Sequence, residues 1–289
     1  MELCTTKAAL RAAVVRGRGA GRRVALVPTM GALHDGHMAL VAAARDWAGR
    51  DGMVVASIFV NPAQFGPNED LETYPRDPEG DLSKLRAGGV DAVFQPSVDE
   101  IYRPGAETIV ETTRLSRILI GRLRPGHFRG VATVVTKLFN IVRPDAAFFG
   151  EKDYQQLAVI RRMVADLDME IAIHGVPTQR EPDGLAMSSR NLRLTPEDRA
   201  AAPVLYAAFT GAEALVRQGA TVARLRARVR DIITAEPRAD LRSVDIRDAE
   251  TLAPVTGRPA SPVVILLAVR FGQVLLIDQR VIHPQGETP

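Results

Sequence analysis

The chain has a single cysteine, Cys4, so no internal disulfide can form and the fold must rest on packing; one thiol in a chain this long also fits a reducing compartment. Aromatic residues are only 5% of the sequence, and no basic run is interleaved with them, which removes the usual signature of a nucleic-acid binder. The formal net charge is only +3, a slight excess of arginine that suits small anionic ligands and gives no ground for a nucleic-acid partner. No apolar run reaches about 18 residues, the length a spanning helix needs. The first residues lack the charged-then-apolar pattern of a secretion signal. A soluble protein of the cytoplasm, with no membrane partner, is the expectation. Metal-ligand spacing is also missing, and no metal ligand is named.

What is present is ordinary globular composition, 46% hydrophobic over 289 residues, enough for one large or two modest domains. Short apolar runs at 23–27, 53–60, 91–94, 146–149 and 169–176 alternate with helical patterns, among them residues 5–16, 38–47, 77–87, 131–142 and 157–167. That alternation predicts βαβ units and a Rossmann-like parallel sheet with helices on both faces. The segment 101–111 reads as a hairpin or an edge strand. From Thr195 the character changes: a helix start at Thr195-Pro196-Glu197-Asp198, helices to about 235, then apolar runs at 243–246, 263–269 and 274–278. The division expected is a nucleotide- and substrate-binding domain over 1–178 and a smaller α+β domain over 179–289 that closes over it.

The stretch Val27-Pro28-Thr29-Met30-Gly31-Ala32-Leu33-His34-Asp35-Gly36-His37-Met38 joins the first of these strands to a helix. It places two histidines, three residues apart, where the helix begins and where an open α/β sheet binds ligands. Free N–H groups and the positive end of the helix dipole favour phosphate there, and imidazole adds donors. A pair of histidines without a role, and a zinc pair in want of a third ligand, are the competing readings.

Three further loops follow strands. Asn61-Pro62-Ala63-Gln64 offers two amides, each able to donate and accept, which suits a ligand carrying hydroxyls and a carboxylate. Gly150-Glu151-Lys152-Asp153-Tyr154-Gln155-Gln156 sets a glycine, a point charge for phosphate, and Asp153 and Gln156 on the inward stripe of the next helix. Met187-Ser188-Ser189-Arg190-Asn191, in a Pro- and Gly-rich loop, is a compact set of phosphate donors.

The His-x-Gly-His and Met-Ser-Ser-Arg segments resemble the two signatures of the nucleotidylyl-transfer superfamily. Pro28–His34, Phe59-Val60-Asn61-Pro62 with Gln64-Phe65-Gly66, Arg124-Pro125-Gly126-His127-Phe128, Gly150–Gln156 and Asp183–Asn191 together are similar to the pantothenate synthetase family. The similarity is strong over 20–195 and weaker at Ile246–Leu252. It implies ATP-dependent condensation of pantoate with β-alanine through a pantoyl adenylate, in a homodimer. By the resemblance, Met30, Gly31, Ala32, Leu33, His34, Asp35, Gly36 and His37 hold ATP, as do Gly150, Glu151, Lys152, Asp153, Gln179, Met187, Ser188, Ser189 and Arg190. His37, His34, Lys152 and Arg190 would be catalytic. Gln64 and Gln156 would hold pantoate, with β-alanine entering near Gln64 and Mg2+ carried on the ATP phosphates. Some relatives place possible metal contacts around the Asp81 helix, where this chain has Gly80 and Lys84. Before the Arg-Pro-Gly-His-Phe motif it has Leu119-Ile120-Gly121 in place of a Leu-Glu-Gly-like segment. Another adenylyltransferase and a catalytically silent nucleotide-binding protein remain the alternatives.

Overall fold

A computed structural model describes residues 1–67, 69 and 71–284. The chain runs β1 (Glu2–Cys4), α1 (Lys7–Gly19), β2 (Val24–Thr29), α2 (Asp35–Ala48), β3 (Met53–Ile58), α3 (Pro78–Ala87), β4 (Ala92–Phe94), α4 (Val98–Ile101), α5 (Ile120–Leu123), α6 (His127–Val142), β5 (Ala146–Gly150), α7 (Tyr154–Asp166) and β6 (Ala172–Val176). It continues with α8 (Pro196–Ala201), α9 (Val204–Val216), α10 (Val222–Thr234), β7 (Asp240–Asp248), β8 (Val263–Phe271) and β9 (Val274–Ile282). Two compact units result: Met1–Glu151 with Gln155–Pro177, and Lys152–Tyr154 with the chain from Thr178 onward.

The first unit is a six-stranded sheet in the order β1-β4-β3-β2-β5-β6, and every pairing is parallel. All six residues of β3 are buried, the burial expected of a parallel strand covered on both faces. α2 lays Leu40, Val41 and Ala44 into a core with Val27, Val54, Ala56 and Phe148, as its 3.6-residue spacing dictates. From β2 the chain moves outward to β3 and β4, then returns to place β5 on the other side of β2. The strand order therefore reverses between β2 and β5. In open α/β sheets the crevice at the carboxyl ends of two such strands is where ligands bind.

Two local features differ from the sequence reading. β1 is an edge strand of three residues, too short to show as an apolar run, and its Cys4 is fully buried. Burial, then the neighbouring Glu2 carboxylate, push that thiol above its ordinary pKa. The segment 103–112 forms no strand. Its backbone is met by a side chain instead: Thr133 Oγ1 on α6 accepts from the Val110 N–H at 3.0 Å and also lies 3.3 Å from the Val110 carbonyl. The hydroxyl thus accepts the N–H that a neighbouring strand would otherwise pair, while its own proton has a nearer acceptor in the Arg129 carbonyl at 2.8 Å.

In the second unit β7, β8 and β9 form an antiparallel sheet in that order. α9 and α10 pack on each other. Their Leu205, Phe209, Leu225, Val229 and Ile233 share a core with Ile246, Ile265, Leu267 and Val269 of the sheet. The Thr195-Pro196 start is as the sequence suggests: the Thr195 hydroxyl accepts from the Asp198 N–H, a helix N-cap with proline at the first position. Lys152–Tyr154 joins this unit, and the Tyr154 hydroxyl donates to the Ala249 carbonyl at 2.7 Å.

Candidate active site

The first motif emerges from β2 at the switch point. Gly31 and Ala32 both take positive φ, +85° and +50°, which turns the chain sharply into α2. His34 is the N-cap residue and His37 the third residue of the helix, and the two close a capping box made of imidazoles. His34 Nδ1 accepts from the Gly36 N–H at 3.2 Å, and His37 Nδ1 accepts from the His34 N–H at 3.3 Å. A ring that accepts at Nδ1 in its neutral form carries its proton on Nε2. The helix start thus selects the tautomer of both rings, each with an N–H donor on the far nitrogen. The rings lie 4.2 Å apart between centroids. Sequence reasoning placed two histidines here; the cap that orients them is visible only in the structure.

The backbone of the turn, by contrast, is already engaged. The Gly31 N–H donates to Thr29 Oγ1 at 3.4 Å, and those of Ala32 and Leu33 donate to Asp81 at 2.9 and 2.7 Å. The expected store of free N–H groups for phosphate is therefore spent at these residues. Asp35 is exposed, and Met30, Gly36 and His37 are half-buried.

Gln64 sits in a short 3-10 turn (Pro62–Gln64) after β3 and is buried. Its amide is held: Oε1 accepts from Asn61 Nδ2 at 3.1 Å, and Nε2 lies 3.0 Å from Met30 Sδ. Asn61, offered by the sequence as a ligand contact, is a structural hub. Its two N–H bonds go to Gln64 and the Gly130 carbonyl, and its oxygen accepts from the Ala63 N–H and the Tyr102 hydroxyl. That uses the whole capacity of the amide and leaves nothing for a ligand. Burial pushes the Tyr102 phenol up to about 12, against the lowering effect of its bond to Asn61, so it stays a donor. α6 comes so close that a Cβ on Gly130 would lie 2.3 Å from the Ala63 carbonyl oxygen; only glycine fits there.

Beside this turn the Arg124-Pro125-Gly126-His127 segment is locked in place. Arg124 makes a two-pronged pair with Glu69, and lies 3.2 Å from His127 Nε2. The His127 Nδ1 faces the Gln64 carbonyl at 2.9 Å. Burial raises the pKa of Glu69, but its hydrogen bonds and charge pairing with Arg124 outweigh that and hold it below the usual carboxylate range.

After β5, Gly150 faces open space: a Cβ there would meet no atom within 4 Å, which suits a ligand approaching the backbone. Glu151 follows it, half-buried. On α7 the buried amide is Gln155, which binds the Ile120 N–H and the carbonyls of Leu115 and Ile118; it fixes the 115–120 loop. Gln156 is half-buried, one turn before Ile160, as its spacing predicts. Asp153 does not lie on the helix but in the 3-10 turn Glu151–Asp153 ahead of it, because α7 starts one residue later. It is exposed enough to face water and lies 3.9 Å from Lys152 Nζ.

In the second unit a pocket is lined by Lys152, Ser188, Arg190, Asn191 and Asp278 over Leu185 and Leu276. Ser188 caps the 3-10 helix Ser189–Arg193, its hydroxyl accepting from the Arg190 N–H at 3.3 Å. Ser189 is buried, Met187 half-buried and Gln179 exposed. The segment 179–187, a loop in the sequence reading, closes as a narrow hairpin: the Met187 N–H donates to the Gln179 carbonyl and the Glu181 N–H to the Leu185 carbonyl. Arg180 anchors it to β9 through paired bonds to Asp278 of 2.7 and 3.0 Å. Asp278, Arg180, Asp81 and Gln155 were all missed as functional supports. A lone Asp or Arg carries no pattern; the Ala32 and Leu33 amides lie 49 and 48 residues from Asp81, and Asp278 lies 98 from Arg180.

A parallel sheet with a histidine-capped helix at its switch point, in a chain that also carries a Met-Ser-Ser-Arg loop, resembles the nucleotide-binding α/β proteins of the nucleotidylyl-transfer class. Comparison with known proteins narrows the class to one family. The pantoate-beta-alanine ligase family model matches residues 2–281, and the chain belongs to that family. It is 53% identical to the pantothenate synthetase of Bartonella henselae over 99% of this chain and 100% of that protein. The crystal structure of pantothenate synthetase from Thermus thermophilus superimposes with a TM-score of 0.93 at 46% identity, covering 98% of this chain and 100% of that one. A Francisella tularensis pantoate-beta-alanine ligase, crystallised with beta-gamma ATP and beta-alanine, gives a TM-score of 0.77 at 33% identity over 97% of both chains.

Proposed function

We propose that this chain joins pantoate to β-alanine at the expense of ATP, in two steps. A pantoate carboxylate oxygen attacks the α-phosphorus, the bond to pyrophosphate breaks, and a pantoyl adenylate remains. The β-alanine nitrogen then attacks the acyl carbon and loses a proton, and AMP departs with the bridging oxygen. The observation that carries this reading is the imidazole capping box at the β2–β5 switch point. It orients two imidazoles at the sheet edge where such folds bind ligands, which supports their use as N–H donors to a transferring phosphoryl group; preorganised donors of this kind supply the largest single part of most rate enhancements. His37 acts chiefly through transition-state electrostatics, its Nε2–H dipole meeting the charge that develops on departing pyrophosphate without giving up the proton. His34 shares that task.

Lys152, Ser188, Ser189 and Arg190 bind the phosphates, the last with a planar fork matched to paired oxygens. Gly150, Asp153 and Gln179 hold the nucleoside, with Glu151 and Met187 beside it. Gln64 and Gln156 hold pantoate by its hydroxyls and carboxylate, with the Gln64 amide already oriented by Asn61. Among the described residues no group of three His, Cys, Asp or Glu side chains is placed to hold a metal, and both Asp81 oxygens face backbone donors. In this reading Mg2+ enters on ATP as part of the substrate, where it keeps several waters. Among the described residues no helix is long and apolar enough to cross a membrane, and a cytoplasmic homodimer completes the proposal.

The test is product release from ATP and magnesium with pantoate alone, then with β-alanine. One equivalent of pyrophosphate per site with pantoate, turning into steady AMP release only on adding β-alanine, is the expected result. Folded protein that binds ATP but frees no pyrophosphate in either case refutes it.

A further inference from the structure

The turn that carries the two histidines is gripped from one side by α3. Asp81, in the first turn of that helix, is 1% exposed. Its Oδ2 accepts from the Ala32 N–H at 2.9 Å and its Oδ1 from the Leu33 N–H at 2.7 Å. One helical turn on, Lys84 Nζ donates to the Leu33 carbonyl at 2.7 Å. A Cβ on Gly31 would lie 3.0 Å from Asp81 Oδ2 and 3.2 Å from Ile58 Cγ2, so carboxylate, turn and strand are in direct contact. Successive N–H groups in a left-handed turn converge on an anion. In this chain a buried carboxylate fills that cradle, and the non-glycine Ala32 is held at φ +50°, a conformation that persists only when its surroundings impose it.

We infer that Asp81, assisted by Lys84, is a positioning residue for adenylate formation: it occupies the anion cradle of the strand-to-helix turn and thereby fixes where the imidazoles of His34 and His37 stand. The inference rests on the reading of those histidines given under Proposed function. Two consequences follow from the geometry. The Ala32 and Leu33 amides are withheld from ATP, so loss of Asp81 acts on the chemical step and not on a phosphate contact. Freed of the carboxylate, the turn relaxes and carries the N-cap residue His34 with it.

Asp81→Asn keeps the volume but offers one acceptor oxygen to two donors. A displacement on the order of 1 Å at reacting groups costs about 100-fold; the expected loss in kcat for pantoate-dependent pyrophosphate release is about 10- to 100-fold, with KM for ATP within about 3-fold. The long-range nitrogen NMR signals that report the Nε2–H tautomer of His34 and His37 should shift or exchange-broaden, while those of His174 and His283 stay. A role confined to stability lowers the melting temperature and the active fraction but leaves the His34 and His37 signals as they were, and that result overturns the inference. So does a kcat within about 2-fold of the parent, since that is far short of the positioning effect. Should Asp81→Asn fail to fold, Lys84→Met decides, because Lys84 is an exposed residue. The same signal change with a kcat loss of about 3- to 10-fold supports the clamp, and unchanged signals and rate refute it. If the parent protein itself frees no pyrophosphate yet Asp81→Asn moves the two histidine signals, the clamp stands and the proposed activity falls.

Discussion

His37→Ala lowers the rate of pyrophosphate release with ATP and pantoate by about 100- to 1000-fold, the loss typical for removing one preorganised donor from a developing charge. The side chain has two jobs, and both end with the substitution. Its Nδ1 accepts the His34 N–H, and its far nitrogen supplies an N–H where the capping box aims it. Loss of the cap costs the helix only about 1 kcal/mol, so the protein remains folded and ATP binding changes far less than the rate. Single-turnover pyrophosphate release beside a thermal melt separates the two contributions. Near-parental turnover in folded His37→Ala protein removes His37 from the chemistry and with it the role of the first motif.

Arg180→Ala has its largest effect on stability. Asp278 is 2% exposed, and its carboxylate is met by two guanidinium N–H bonds from Arg180. The same guanidinium lies 5.1 Å from the Tyr206 ring centroid and donates to the Gly184 and Gln279 carbonyls. Truncation leaves a buried carboxylate without its partner, a loss of about 3–5 kcal/mol in comparable pairs. The hairpin 179–187 loses its anchor at the same time, and the Met-Ser-Ser-Arg segment begins at the end of that hairpin. A melting transition lowered by several degrees or more, together with weakened ATP binding, is the expected outcome of calorimetry and titration. The double variant Arg180→Met with Asp278→Leu should recover most of the stability, because replacing both charges removes the stranded carboxylate. Parental stability in Arg180→Ala contradicts this assignment.

Much of the fold is legible in the sequence because burial on both faces writes itself as continuous apolar runs. Met53–Ile58 and Ala146–Gly150 are such runs, and the Pro196 helix announces itself by its cap. β1 is illegible for the opposite reason: it is three residues long and two of them are exposed. Among the residues proposed to act on ATP, His34, His37, Lys152 and Arg190 are conspicuous in the sequence because charge or imidazole at a strand's end has few other uses. Asn61 shows the converse. Its sequence context suggests a ligand contact, and the structure spends all four of its hydrogen bonds inside the unit. Gln155 and Gln156 are neighbours that sequence alone cannot sort, since one residue of helix rotation decides which amide is buried. Asp81 is the most consequential omission. The resemblance points to its helix only for possible metal contacts; what Asp81 does is receive two N–H groups from a turn 48 and 49 residues earlier in the chain, and no local pattern shows that.

Transfer of a labelled oxygen examines the chemistry itself. Pantoate carrying 18O in its carboxylate, turned over with ATP and β-alanine, should yield AMP with one 18O in its phosphate and pyrophosphate with none. That pattern requires a bond between the carboxylate oxygen and the α-phosphorus before the amine attacks. Unlabelled AMP, or label recovered in inorganic phosphate beside ADP, contradicts the pantoyl adenylate and places the attack at a different phosphorus.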